Sequence, residues 1–408
     1  MIEGQKPRRA LSQMRGEVQL HGPRALAEPL ARALVAPHEE GPQEDPDVLT
    51  HGFHTWPGRM HRGLAGGLLD VLVPRPNAFV LDPFAGGGTV AIEALVRGHR
   101  VATIDANPLS PLLIRVKTRI TRKDDREAFR FLVDHLVERS LERVQSRTMA
   151  KAQIRGEFLI MYGPHTLKEL AGLLEEIRAL DQLDIDPQDR EAALALFSSI
   201  VVKLSNKLAD TSEESVRKRI RKGLASELFG RKATELIARW ASLADAASRS
   251  EQRMKPVETF LGDARHIRSL QRRSPIAADL ILTSPPYGGT YDYVDHHALR
   301  LDWLGLEHRS FEKAEIGSRR HTSTPEQWDR ELGDTLTAMR AALSGDTARI
   351  CLVIGDAQIG PRRMDAHDHV IGLAPHVGLA PVAAASIERD DYLGGSHRKE
   401  HVIVLRPI

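Results

Sequence analysis

The chain has a single cysteine, Cys351, in 408 residues. It can form no internal disulfide, and its place in the apolar stretch 349–354 marks it as a core residue. No apolar run reaches the about 20 residues that a membrane-spanning helix needs. The first residues, MIEGQKPRRALSQ, are basic but have no apolar segment behind them, so a secretory signal is not expected and a cytoplasmic location fits. Charge of one sign is lacking too. Lys and Arg total 57 against 55 Asp and Glu, a net charge of +2 that neither demands nor excludes nucleic acid. Two phosphate-binding signatures are missing: the glycine loop described below is not G-x-G-x-x-G, and no Gly-Lys-Ser/Thr follows it.

What is present is an α/β pattern in two parts. A short apolar run, 78–81, leads into Asp82-Pro83-Phe84-Ala85-Gly86-Gly87-Gly88-Thr89. Residues 90–97 have helical apolar spacing, Gly98 is placed as a stop, and 100–104 reads as a second strand ending at Asp105. Strand, glycine loop, helix and strand make the opening βαβ unit of a doubly wound fold. Residues 123–255 change to helical spacing and read as an all-helical insertion, with helices predicted over 166–180, 189–204, 212–228 and 231–247. The α/β pattern resumes with strands at 257–261, 278–282 and 349–354, and a terminal strand pair at 382–389 and 400–405. Residues 1–50 read as a loosely organised extension, with a short helix over 24–35 and an acidic linker over 38–47. The expected division is thus 1–50, 51–122, 123–255 and 256–408.

The most telling stretch is Ser284-Pro285-Pro286-Tyr287, directly after a buried strand. Neither proline donates a backbone hydrogen bond, and each holds its preceding residue extended. The carbonyls of Ser284 and Pro285 are then available to a cleft, with the Tyr287 ring beside them. Acceptors next to an aromatic plate suit a planar ring that carries an amino group. Gly86, Gly87 and Gly88 allow a ligand to approach the backbone closely. Asp82 repels a pyrophosphate but welcomes a cationic amine, which favours S-adenosylmethionine. Asp105, at the end of the second strand, suits ribose hydroxyls, and Asp263, at the end of the third, suits an adenine amino group. A plain nucleotide loop is the alternative reading of the glycines.

Together these residues resemble the amino-methyltransferases of DNA, which methylate cytosine N4 or adenine N6. The segment 82–89 is similar to that family's S-adenosylmethionine loop, and 284–287 to its catalytic tetrapeptide, in the serine form more typical of cytosine-N4 enzymes. Residues 54–60 and the helix after them resemble the region that closes over the methionine end. The resemblance implies a mostly parallel, seven-stranded sheet of the class I methyltransferase type. It implies S-adenosylmethionine as methyl donor, held by Asp82, Phe84, Ala85, Gly86, Gly87, Gly88, Thr89, Asp105 and Asp263, with no metal. Ser284, Pro285, Pro286 and Tyr287 would hold the target base, cytosine N4 ahead of adenine N6. RNA enzymes acting on exocyclic amines share the tetrapeptide, so an RNA substrate stays open, as does a nucleic-acid-binding protein without turnover. The insertion falls between the second strand and Asp263, which is not a typical place for a target-recognition domain.

Other signals are weaker. Arg217, Lys218, Arg219, Arg221 and Lys222 form a basic run that suits phosphates or a solvated helix face equally well. Tyr291, Tyr293, His296 and His297 follow the tetrapeptide and suit either a base pocket or helix packing. Histidines 51, 54, 61, 367 and 369 lack the spacing of a metal site. Arg319, Arg320 and His321 read as a basic loop. No nuclease motif is visible, so a restriction partner would be a separate protein.

Overall fold

The computed structural model describes residues 14–39, 48–148, 150–209, 211–212, 214–249, 254–271, 276–322, 324–390 and 397–408. The acidic linker therefore lies mostly outside the described residues. The chain opens with strand β1 (Met14–His21), helix α1 (Arg24–Glu39) and helix α2 (Arg62–Leu72). Then follow β2 (Phe79–Asp82), α3 (Thr89–Val96), β3 (Arg100–Asp105) and α4 (Leu109–Lys117). Helices α5 (Lys123–Ser146), α6 (Gly156–Leu159), α7 (Pro164–Ala179), α8 (Pro187–Val201) and α9 (Leu224–Ser248) come next. The sheet resumes with β4 (Glu258–Leu261), α10 (Ile267–Gln271) and β5 (Leu280–Thr283). After it come α11 (Tyr293–Leu304), α12 (Arg309–Ala314), α13 (Pro325–Arg340) and β6 (Arg349–Gly355). A small hairpin, β7 (Ala357–Ile359) and β8 (Arg362–Met364), precedes α14 (Ala366–Leu373), β9 (Leu379–Asp390) and β10 (His397–Pro407).

The main sheet has the order β1-β9-β10-β6-β5-β2-β3-β4. Its run β6-β5-β2-β3-β4 is parallel, and β10 and β9 are antiparallel additions. This is the doubly wound, class I methyltransferase arrangement, with seven strands of that type. Strand β1 adds an eighth at the edge, antiparallel to β9. Both faces of the inner strands β2, β5 and β6 are covered, which explains their unbroken apolar runs, while the edge strand β4 is partly exposed. In β6, Ile350, Leu352 and Ile354 join one core, while Cys351 and Val353 join the core on the opposite face. The chain reverses direction across the sheet between β2 and β5, and a crevice opens there at the carboxyl ends of the strands.

Two expectations need correction. The first 50 residues hold a strand and a helix running to Glu39, rather than a loose extension with a helix ending near residue 35. The sequence 212–228 is not one helix. Gly223, at φ +80°, starts α9, and 216–222 before it is non-helical. That stretch is pinned from the side: Asn206 O accepts from Val216 N (2.7 Å), and Asn206 Oδ1 accepts from Lys218 N (3.1 Å). These bonds give the backbone an alternative to helical pairing.

The helices between β3 and β4 do not stand apart from the sheet. Their core takes in Phe53 ahead of β2, Leu109, Leu113 and Val116 of α4, and Leu301 and Trp303 of α11. Trp240 Nε1 donates to Val116 O (2.7 Å), and Trp303 Nε1 donates to the Tyr162 hydroxyl (2.9 Å). His54 Nε2 meets Ser198 Oγ at 2.9 Å.

Candidate active site

Strands β2, β3 and β5 deliver Asp82, Asp105 and Thr283 to one edge of the sheet. Thr283, fully buried, donates its hydroxyl to Asp82 Oδ1 (2.6 Å), and Phe84 N donates to the same oxygen (3.2 Å). Burial raises the Asp82 carboxyl to about 7 against the pull of these two bonds, and the nearby Asp105 raises it further. Asp105 is likewise raised by burial, to about 6, although it accepts from Asn107 N (2.8 Å) and Gly86 N (2.6 Å). Two carboxylates held close in one crevice, Asp82 buried and Asp105 half-buried, favour a cationic or hydroxyl-rich ligand that relieves them.

The glycine loop has a definite steric reason. Gly86 is at φ +50°, and a Cβ there would lie 2.7 Å from Trp56 Nε1. At Gly87 a Cβ would come within 3.1 Å of the Trp56 side chain. The loop is therefore roofed by Trp56, whose ring packs on His297 at 4.3 Å. Underneath, the buried Lys117 ammonium donates to Gly87 O, and Ser110 Oγ donates to Gly86 O (2.7 Å). Burial, and then Arg59 and Arg239, hold the Lys117 pKa well below the usual lysine range.

The crevice is about 780 Å³, counted with its open mouth. Of the residues read from the sequence, Asp82, Phe84, Ala85, Gly86, Gly87, Thr89, Asp105, Ser284 and Pro286 line it. Gly88 lies behind it, against Ile114, and Pro285 is buried. The structure does not bring Asp263 into the lining. Its carboxylate is held by Arg265, which donates through Nε (3.0 Å), through its second guanidinium nitrogen (2.7 Å) and through its backbone N (2.8 Å). Trp56, from the segment 54–60, and Tyr293, one of the base-pocket candidates, also line it, and so do Asn107, Phe311 and Glu315, for which the sequence carries no signal. Glu315 accepts from the N-terminal amides of α11, Tyr293 N (2.5 Å) and Val294 N (3.3 Å), and burial raises its carboxyl to about 7.

S-adenosylmethionine fits this crevice by its donor set. Thr89 Oγ1 and Asn107 Nδ2 are buried and have no partner among the described residues. With Asp82 and Asp105 they offer carboxylates, a hydroxyl and an amide to a ligand that carries an ammonium and a ribose. Trp56, Phe84, Phe311 and Ile316 supply apolar walls.

A second cavity, about 1110 Å³ with its mouth, adjoins the first. Ser284 and Tyr293 line both. Tyr287 and Tyr291 line the second, with Arg389, Arg398 and Glu400 from the β9–β10 hairpin. The Tyr287 ring lies over Gly355, where a Cβ would meet it at 2.7 Å. Its hydroxyl donates to Glu400 Oε1 (3.0 Å), while Arg389 holds Glu400 Oε2 (2.6 Å). Glu400 thus sets the tilt of the tyrosine plate. Removing the carboxylate in Glu400→Ala should therefore cost as much affinity for the second cavity's ligand as Tyr287→Phe. The double variant should be no worse than either single one, which a double-mutant cycle on ligand affinity checks. Full additivity would remove this role.

The remaining signals resolve simply. Arg319 and Arg320 pair with Asp292, and Arg320 also with Asp295, so that basic loop is tied to the start of α11. Histidines 51 and 54 serve separate contacts, His51 with Glu93 (2.8 Å). Among the described residues, Asp356, Asp365 and His401, and Asp365, His367 and Asp368, lie close enough to share a metal ion. Arg363 (3.3 Å) and Lys399 (3.2 Å) already answer Asp356 and Asp365 there. No described helix is long and apolar enough to cross a membrane.

Sheet order and crevice define a protein of the class I methyltransferase fold. Residues 53–156 match the RMKL-like methyltransferase domain. A stretch of 72 residues is 38% identical to the type II methyltransferase M.MvaI of Kocuria varians, covering 17% of this chain and 16% of that one. The methyltransferase resemblance read from the motifs is thus matched by a relative over part of the chain. Among solved structures, TrmN from Thermus thermophilus is similar at 15% identity and a TM-score of 0.34, over 86% of this chain and 50% of that one. The rRNA methyltransferase aviRa from Streptomyces viridochromogenes is similar at 12% identity and a TM-score of 0.34, over 89% and 93%.

Proposed function

We propose that this protein transfers a methyl group from S-adenosylmethionine to an exocyclic amino nitrogen of a base in DNA, cytosine N4 ahead of adenine N6. The observation that carries this is Ser284. It lines both cavities, so an amine held in the second meets the first at that residue.

Bound S-adenosylmethionine supplies an electrophilic methyl group on a sulfonium. The chain's own residues do the positioning. Asp82 and Thr89 suit the amino-acid end, and Asp105 suits the ribose. The Ser284 hydroxyl and the Pro285 carbonyl accept the two amine hydrogens, which draws the nitrogen lone pair out of conjugation and toward the methyl group. The N–C bond forms as the S–C bond breaks, and one amine proton then leaves to solvent through the open second cavity. Tyr287 stacks on the base, which a duplex must first flip out. Positioning of this kind supplies much of the rate. A relative over 72 residues is a type II methyltransferase, which supports DNA; the serine in the tetrapeptide supports cytosine.

The test is incubation of the purified protein with methyl-labelled S-adenosylmethionine and either genomic DNA or total RNA, followed by nucleoside mass spectrometry. Label in N4-methylcytosine of DNA is expected. Label in N6-methyladenine would move the target base. Label in RNA alone would overturn the DNA reading, and none in either would overturn methyl transfer to nucleic acid.

A further inference from the structure

We propose that a basic groove within the helical insertion binds the phosphodiester backbone of the nucleic-acid substrate, and that segment 203–222 carries that backbone between groove and catalytic crevice. This rests on the functional reading above and adds a second anchoring surface to it.

The groove lies between α5, α7 and the segment before α9, and measures about 1030 Å³ with its mouth. Arg143, Arg147, His165, Lys168 and Lys222 line it, and Glu169 is the one carboxylate in its wall. Glu169 is buried and spent on local contacts. It accepts from Gly223 N (3.1 Å), Ser226 N (3.1 Å) and Ser226 Oγ (3.0 Å). Arg143 is paired with Glu175 and Glu176. Arg147, Lys168 and Lys222 are exposed and make no ion pair among the described residues. Three unanswered cations around a concave opening make a site for a polyanion.

Segment 203–222 links this groove to the crevice. Lys222 lines the groove at one end. Toward the other, the segment follows α8, whose Ser198 Oγ meets His54 Nε2 at 2.9 Å, two residues before the Trp56 that roofs the glycine loop. Between them, burial alternates. Arg217, Arg219 and Arg221 are exposed, while Lys218 and Ile220 are half-buried. Lys218 turns inward, its ammonium donating to Lys207 O (2.6 Å) and Lys203 O (3.3 Å). Ile220 packs on the insertion's core. The inward pair holds the segment; of the outward arginines Arg221 pairs with Glu227, and Arg217 and Arg219 are left on the outer face. A helix would have spread the same cations around its axis.

The experiment measures binding of a 30-base-pair DNA duplex and of a single-stranded RNA of equal length, by fluorescence anisotropy from 50 to 200 mM salt. The variants are Lys168→Glu with Lys222→Glu for the groove and Arg217→Ser with Arg219→Ser for the segment. Arg406→Glu, exposed at the opposite end of β10 from the crevice, is the control. Each double variant should weaken binding about tenfold or more. It should also flatten the slope of log K against log salt by about 0.9 per lost duplex contact, or about 0.7 on a single strand. S-adenosylmethionine affinity and melting temperature should stay at the wild-type values, and the control should bind normally. The polymer that shows the loss identifies the backbone. Wild-type affinity and slope in both double variants on both polymers would overturn the proposal, as would a wild-type protein that binds neither. Binding that behaves as expected without methyl transfer would instead overturn the functional reading and leave the surface standing.

Discussion

Asp82→Asn is expected to weaken S-adenosylmethionine binding by about 30-fold or more while leaving the ligand-free protein as stable as the wild type or more so. The two effects share one cause. Asp82 is buried, with only the Thr283 hydroxyl and the Phe84 amide to support its charge. A charge-assisted hydrogen bond to an ammonium contributes about 2 kcal/mol, and asparagine cannot supply it. In the free protein, however, the charge is a burden, since burial raises the carboxyl from 3.8 to about 7. A raised carboxyl contributes stability that is complete below 3.8 and is lost as the pH rises through about 7. Free wild-type protein should thus lose stability across that window, and the asparagine variant should lose less. The ligand's ammonium reverses the sign, because it favours the ionised carboxylate. The rise in melting temperature on adding S-adenosylmethionine should therefore grow between about pH 5.5 and 7.5, below the ordinary α-amino range of 7.7–8.0. Calorimetric titration and thermal unfolding of both proteins check this. Equal affinity in wild type and variant would remove the role given to Asp82.

The second large effect is on turnover. Ser284→Ala should lower kcat by about 10²-fold, the size seen when one positioned hydrogen bond is removed from a transition state, with S-adenosylmethionine affinity unchanged. Tyr287→Ala should act differently. Base–aromatic stacking contributes about 1–3 kcal/mol, so kcat/KM for nucleic acid should fall about 10- to 100-fold, largely through KM. The tyrosine also fills the space over Gly355 and bonds Glu400, so thermal unfolding must accompany the kinetics. Tyr287→Phe keeps the ring and separates stacking from the hydroxyl's contact. Full methyl transfer by both alanine variants would sink the assignment of the tetrapeptide.

Much of the sheet was legible because both faces of the inner strands β2, β5 and β6 are buried, leaving continuous apolar runs between glycine-marked turns. Strand β1 was not legible, because five of its eight residues are exposed and its register on β9 shifts between Arg15 and Gln19, which breaks the alternation of Met14, Val18 and Leu20. The false helix over 212–228 arose because helical spacing ignores what Asn206 does from outside the segment. Strand ends, glycines and prolines marked part of the crevice lining, while Asn107, Phe311 and Glu315 line it from positions without such a mark. The contacts that hold the marked residues in place had no such sign. The hold of Thr283 on Asp82 spans 201 positions, and that of Glu400 on Tyr287 spans 113. Such pairs have no local spacing to read. Asp263 shows the converse. Its place after a strand suggested a ligand contact, and Arg265, two residues on, takes its charge instead.

The sharing of one core by Phe53, α4, the inserted helices and Trp303 has a consequence for how this protein can change. The insertion cannot be exchanged as a cassette. Cutting at its ends would strip the apolar backing from α4 and α11 and release the segment that carries Trp56. Such a chimaera should lose the cofactor crevice along with the helices, and the intact chain should melt in one transition spanning both. New target preferences would then have to arise as substitutions on the outer skin of those helices, with their interior left alone.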